Sequence, residues 1–248
     1  MASYNAFAPF YDRFIKPVDY EARAAYFNSI IAPQIGEQKL LLDLACGTGS
    51  LSLALSRFGY EVIAVDASPQ MLSLAQQKAC DAGVQILFLN QRMETLDLYG
   101  TIDACVCALD SLNHLTDSRA LQRALSRVSL FLAPGGVFVF DMNTPYKHRH
   151  LLADNCYVYE DGDAVCVWRN KTDEMLLTEI SLDFFTRQID GRYARVGESF
   201  CERGYALEEI IDMLSICGLT LTALYADDGF GAPNDTSERY IFVTKKGM

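Results

Sequence analysis

Apolar residues along this 248-residue chain fall into two kinds of run, and the change from one to the other divides the sequence. Between residues 40 and 142, continuous apolar stretches alternate with segments of helical period. Leu40–Leu44, Glu61–Asp66, Val84–Leu89, Ile102–Leu109 and Val137–Met142 read as strands without a solvent-facing side, as in a parallel sheet covered by helices on both faces. Helices are expected from near Leu51, from Pro69 behind an N-cap at Ser68, and from about Asp117 to Leu132. Ala133-Pro134-Gly135-Gly136 should stop the last of these.

From about Tyr157 to Arg203 the period changes to two. Val165–Trp168, Leu177–Phe185 and Tyr193–Phe200 alternate, and Glu160-Asp161-Gly162-Asp163 and Asp190-Gly191 are turn-prone breaks between such runs. This predicts an antiparallel insertion of three to five strands, within residues 147–203, acting as a lid or substrate wall. Leu207–Cys217, ended by Gly218, is a helix; Leu219–Tyr225 and Arg239–Lys245 then form a closing hairpin at the sheet edge. Residues 1–35 have a helical pattern rich in Tyr and Phe and form a cover over the α/β domain, which takes in 1–146 and 204–248.

The most informative local pattern follows the first strand: Asp43-Leu44-Ala45-Cys46-Gly47-Thr48-Gly49. Small residues there let the backbone approach a ligand at the N-terminus of the next helix. The next apolar run ends in Asp66, where a ribose diol would be held. The third glycine of the dinucleotide fingerprint is missing. A carboxylate at Asp43 is unfavourable beside phosphates and favourable beside a ligand carrying an amine and a sulfonium. A ligand-free turn and an NAD-type oxidoreductase site are the competing readings.

With this acidic residue and glycine-rich turn, the chain resembles the class I S-adenosylmethionine-dependent methyltransferases of the small-molecule type. The resemblance extends over nearly the whole chain: a doubly wound, seven-stranded, mostly parallel Rossmann-like sheet with an antiparallel β insertion after strand five. Within the class it leans toward N-methyltransferases of nucleotide-linked amino sugars, through Phe10-Tyr11-Asp12, Ser111-Leu112-Asn113-His114 and Glu198-Ser199-Phe200. A histidine is usual where Phe200 stands. The resemblance implies S-adenosyl-L-methionine as cofactor, its methionine end at Ala45, Cys46, Gly47 and Gly49 and its ribose on Asp66, with Ala67 and Leu109 beside it. Met71 serves either as an apolar shelf over the ring or as a core residue. The family's Gly-Asp-Met, which reads adenine, is replaced here by Gln91-Arg92-Met93, leaving the backbone of Arg92 and Met93 as readers.

Methyl transfer from a sulfonium needs an in-line lone pair, positioning and exclusion of water. Tyr11, Asp110 and His114 are the candidates to converge on the methyl, and the resemblance also lets Tyr11 bind the cofactor through its methionine carboxylate. His114 stands at the carboxyl edge of strand four, where it could take a proton from an amine or hydroxyl, or cap the following helix. His148 and His150, in Tyr146-Lys147-His148-Arg149-His150, read as solvated loop residues.

Charge narrows the acceptor. With 21 basic against 32 acidic residues, the net charge of −11 gives no track for nucleic acid phosphates. No run reaches the roughly 18 apolar residues of a membrane helix, and no signal peptide is expected at the N-terminus. The eight cysteines include no C-x-x-C pair, which argues against zinc and for a reducing cytoplasm. The expectation is a cytoplasmic enzyme, monomer or homodimer, methylating nitrogen or oxygen of a small polar molecule. A non-catalytic, cofactor-binding interaction module is the alternative.

Overall fold

The computed structural model describes residues 18–37, 39–226 and 229–247, and in it the apolar runs build one seven-stranded sheet. The elements in order are α1 (Tyr20–Ile35), β1 (Leu40–Leu44), α2 (Ser50–Ser56), β2 (Glu61–Asp66), α3 (Pro69–Ala82), β3 (Leu87–Asn90), β4 (Ile102–Cys107), α4 (Ser118–Phe131) and β5 (Leu132–Asn143). After a short helical stretch follow β6 (Cys156–Asp161), β7 (Ala164–Thr172), β8 (Leu177–Arg187), β9 (Tyr193–Arg203), α5 (Leu207–Ile216), β10 (Leu219–Ala226) and β11 (Arg239–Lys246).

The large sheet has the order β10-β11-β5-β4-β1-β2-β3. β1 to β5 are parallel, whereas β11 runs antiparallel between β5 and β10. Two apolar layers cover it, sorted by the two-residue period of the strands. Leu42, Leu44, Phe138, Phe140 and Phe242 pack with Leu121 and Leu125 of α4 and Leu214 of α5. On the other face Leu41, Ala64, Val106 and Val139 pack with Phe27 and Ile31 of α1 and Leu55 of α2. This is the doubly wound arrangement, and it brings the carboxyl ends of β1, β2, β3 and β4 to one edge.

The period-two region forms a separate antiparallel sheet of four strands, β6-β7-β8-β9. Its apolar face is small: Cys166, Ile180, Leu182 and Phe184, with Trp168 and Phe200 against them. β3 is shorter than expected, starting at Leu87. β5 is longer, its pairing with β4 beginning at Leu132, ahead of Pro134. The proline is tolerated because β11 pairs only with Val137–Asn143, so the first residues of β5 have β4 alone beside them. Among the described residues no helix is long and apolar enough to cross a membrane.

Candidate active site

The glycine turn is built from alternating left-handed residues: Ala45 (φ 62°), Gly47 (φ 55°) and Gly49 (φ 74°). Ala45 adopts this conformation at a cost of roughly 1–2 kcal/mol. The turn is pinned by Cys46 N–H donating to the Val65 carbonyl (2.9 Å) and Gly47 N–H to Asp66 Oδ2 (2.9 Å). The two glycines are used differently. Among the described residues, a Cβ on Gly47 would meet no atom within 4 Å beyond its chain neighbours, whereas one on Gly49 would lie 2.8 Å from Ala75 Cβ of α3. Gly49 therefore allows helix-to-turn packing, while Gly47 faces open space. Lys78 of α3 ties the turn further, donating to Thr48 Oγ1 (2.9 Å) and Ser50 Oγ (2.8 Å).

Asp43 lies behind the turn, 1% exposed, and accepts from Ser52 Oγ at 2.5 Å, joining β1 to α2. Burial pushes its carboxyl up to about 7; the Ser52 hydrogen bond opposes this and the charge of Asp66 adds to it. Asp66 itself caps the following segment, Oδ1 accepting from Ser68 N–H at 2.8 Å. Its pKa is raised by burial, against the hydrogen bonds from Ser68, Gly47 and Ala67.

A third support is the fully buried Asp141 of β5. It accepts from the Leu109 and Asp110 N–H groups (2.9 and 2.6 Å), from Arg239 (2.5 Å) and from Arg23 of α1 (3.1 Å). Leu109 and Asp110 are both left-handed (φ 57° and 53°), so this one carboxylate fixes the sharp exit from β4. Arg239 also reaches Asp110 Oδ1 at 2.8 Å. Burial would raise the Asp110 carboxyl, but Arg239 and Lys147, joined by His114, outweigh it and hold it down at about 2.

The 3-10 turn Ser111–His114 follows. Asn113 is fully buried and stitches three elements: its Nδ2 donates to the carbonyls of Arg203 (2.8 Å) and Asn143 (3.3 Å), and its Oδ1 accepts from Asn143 N–H (3.0 Å). His114 consequently meets β9, with its ring 5.0 Å from Phe200 and its Nε2 3.6 Å from Glu202 Oε1. Burial lowers the His114 pKa, and Asp110 pulls the other way. Burial drives Glu202 up to about 8; Asp110 adds to this, while Lys147, Asn143 and Arg239 oppose it.

These segments enclose one cavity of about 700 Å³. Ala45, Gly47, Asp66, Ala67 and Met71 line one end; Gln91 to Glu94 continue the wall, with Arg92 Nε donating to Glu94 Oε1 at 2.6 Å. Leu109, Ser111, His114 and Thr116 come next, and Glu179 with Glu198–Cys201 of the small sheet completes the lining. Of the residues singled out in the sequence, Ala45, Gly47, Asp66, Ala67, Met71, Arg92, Met93, Leu109 and His114 are thus brought together. Met71 is both 2% exposed and part of the wall. Asp43, Cys46, Gly49 and Asp110 are outside the lining: Asp43 is buried behind the turn, Cys46 and Gly49 are turn residues on its inner side, and Asp110 is engaged by Arg239. Tyr11 lies outside the described residues.

His148 corrects the sequence reading. It is fully buried: Thr178 Oγ1 lies 2.8 Å from its Nδ1, and Gly204 is close enough that a Cβ there would come within 2.9 Å of the ring. The polar run around it gave no sign of strands packing over it from thirty and more residues away. His150 is exposed. Glu202 went unnoticed in the sequence, although it shares the two-residue period of Glu198 and Phe200, a signal that would have set it on their face of β9.

The methyltransferase domain family matches residues 41–136. A protein of Geobacillus sp. (strain WCH70), whose naming as a methyltransferase is itself provisional, is 32% identical over 98% of this chain and 100% of its own length. A solved S-adenosylmethionine-dependent methyltransferase from Clostridium acetobutylicum ATCC 824 is 31% identical, with a TM-score of 0.90 over 99% of both chains. The sugar N-methyltransferase KedS8 of Streptoalloteichus sp. ATCC 53650 shares the fold at 22% identity, with a TM-score of 0.79 over 96% of this chain and 93% of its own. On this full-length similarity, the chain belongs to the class I S-adenosylmethionine-dependent methyltransferases, with S-adenosylmethionine as its cofactor.

Proposed function

We propose that the protein transfers a methyl group to a nitrogen or oxygen of a small polar molecule. The observation that carries this reading is the single cavity running from the glycine turn past His114 to the small sheet, closed by side chains on several sides. The open space in front of Gly47 suits close approach of the cofactor's methionine end, Asp66 its ribose, and the stretch Arg92–Met93 its base. Bound there, S-adenosylmethionine supplies an electrophilic methyl carbon on a sulfonium. The part of the cavity between His114 and β9 is the proposed acceptor space, with the insertion as its wall and Tyr11 as a further candidate contact.

In this reading His114 takes the proton that the acceptor must give up. Burial keeps the imidazole neutral at working pH, the form able to accept it. Asp110 stays ionised on Arg239 and acts by shaping the turn and the field around His114. The eight cysteines are all free thiols, which suits the reducing cytoplasm proposed for it. The test is a turnover screen of the purified chain on amines, hydroxy acids and nucleotide sugars, repeated with His114→Ala. We expect turnover on one of these classes and a loss on the order of 10²–10⁴-fold in the variant, with S-adenosylhomocysteine affinity little changed. Unchanged turnover in His114→Ala would show that the acceptor arrives already deprotonated.

A further inference from the structure

We infer that Glu202 is a positioning residue for His114: His114 in the cavity wall and Glu202 behind it form one proton-holding pair, and the proton given up by the acceptor is taken into that pair. The inference rests on the reading of His114 as the proton-accepting group.

Glu202 has a 5% exposed side chain and two polar neighbours, His114 Nε2 at 3.6 Å and Asn143 Nδ2 at 3.4 Å. A buried carboxylate must be paired with a charge or carry a proton. Burial raises the Glu202 pKa, and the nearby cations Lys147 and Arg239 pull it down through their charge while hydrogen-bonding other groups. Arg239 lies on Asp110 and Asp141, Lys147 donates to Asn143 Oδ1 at 2.9 Å, and Arg203 turns to Ser118 and Glu209. His148, packed on Thr178 across the β8–β9 ladder from Glu202, is held down near 4, first by burial, and stays neutral. His114 is the titratable base whose ring nitrogen stands 3.6 Å from the Glu202 carboxylate, and so the partner placed to share a proton with it. Asn113 fixes their separation, because it is adjacent to His114 and holds the Arg203 carbonyl beside Glu202.

The step balances. The acceptor's lone pair forms a bond to the methyl carbon while the sulfur–carbon electron pair stays on sulfur. The acceptor's proton moves to His114, and the Glu202 carboxylate offsets the imidazolium. The productive form of the pair is therefore the one that has lost its own proton. This form becomes populated as pH rises through the raised value of Glu202, about 8, set by burial and Asp110 against Lys147, Asn143 and Arg239.

The experiment is a nitrogen-15 histidine NMR titration of the full chain with S-adenosylhomocysteine bound, feasible because there are only three histidines. The His114 ring signals should move in two steps, one near pH 8 with Glu202 and one below 6.5 with the ring itself. Glu202→Gln, which preserves shape, should abolish the upper step; Glu202→Asp should keep it, displaced. A single step in the wild-type protein, or an upper step that survives in Glu202→Gln, overturns the pair. Full turnover by His114→Ala overturns instead the reading beneath it, and with it the transfer into the pair, even if the paired titration stands.

Discussion

Asp66 shows how much one side chain at the site is asked to do. One oxygen holds the Gly47 N–H and the other the Ser68 N–H, and the same carboxylate lines the cavity where the ribose is proposed to bind. Asp66→Ala should weaken S-adenosylhomocysteine binding by about 1.5–3 kcal/mol, the range for hydrogen bonds to a charged group. Calorimetry showing unchanged affinity would remove it from the site. Asp43 behaves differently, because it is sealed behind the turn. Its folded value of about 7 against an ordinary 3.8 means that the folded chain binds more protons than the unfolded one between roughly pH 4 and 7. Its contribution to stability therefore falls as pH rises through that window and is flat above it. Asp43→Asn, still able to accept from Ser52, should lose less stability than wild type between pH 5 and pH 8 in urea denaturation; parallel losses would refute the assignment. Asp66 could be picked out in the sequence because it ends an apolar strand, and it does line the cavity, whereas Asp43, expected beside the ligand, is buried outside the lining. The places of His148 and Glu202 could not be read, because strands distant in sequence bury them.

At the scale of elements, the junction between β1 and α2 separates packing from binding. Gly49 has Ala75 of α3 against the place of a Cβ, and among the described residues Gly47 has nothing there. Gly47→Val should abolish binding of S-adenosylhomocysteine, and its φ of 55° also puts left-handed strain on the new side chain, without displacing a helix. Gly49→Ala should lower the melting temperature, since a side chain must take a left-handed conformation at roughly 1–2 kcal/mol and also displace α3. If Gly47→Val binds like wild type, the turn serves only the fold. The strands themselves could be read with little ambiguity, since runs such as Leu40–Leu44 and Val137–Met142 have no polar face to offer water. Their ends were harder to place. Pairing continues through Pro134 because a neighbouring strand stops short, and no local signal in Ala133–Gly136 carries that information. The small sheet was visible as alternation and turns, with runs marking β7, β8 and β9, but no run was singled out for β6, so its strand count stayed a range of three to five.

For the whole molecule, the excess of eleven negative charges and the many-walled cavity act together. In the proposed reading a polyanion is repelled at a distance, and the lining drawn from six separate stretches of the chain favours a small acceptor over a folded protein surface. With labelled S-adenosylmethionine, the purified chain should leave tRNA and intact protein unlabelled under conditions that methylate its small acceptor. Efficient labelling of either polymer would sink the small-acceptor proposal.

The position of β11 has a consequence for synthesis. This strand threads between β5 and β10, and its first residue, Arg239, supplies the Asp141 carboxylate with a cation from 98 positions away. Domains emerge from the ribosome amino end first, so β1 to β5 and the entire cavity lining are made before residue 239 exists. During that interval Asp141 lacks Arg239, and the left-handed exit from β4 that precedes His114 lacks its full restraint. Translation order thus leaves the nascent chain with every described wall of its pocket before the exit from β4 is fully restrained, and β11 is the segment that completes it.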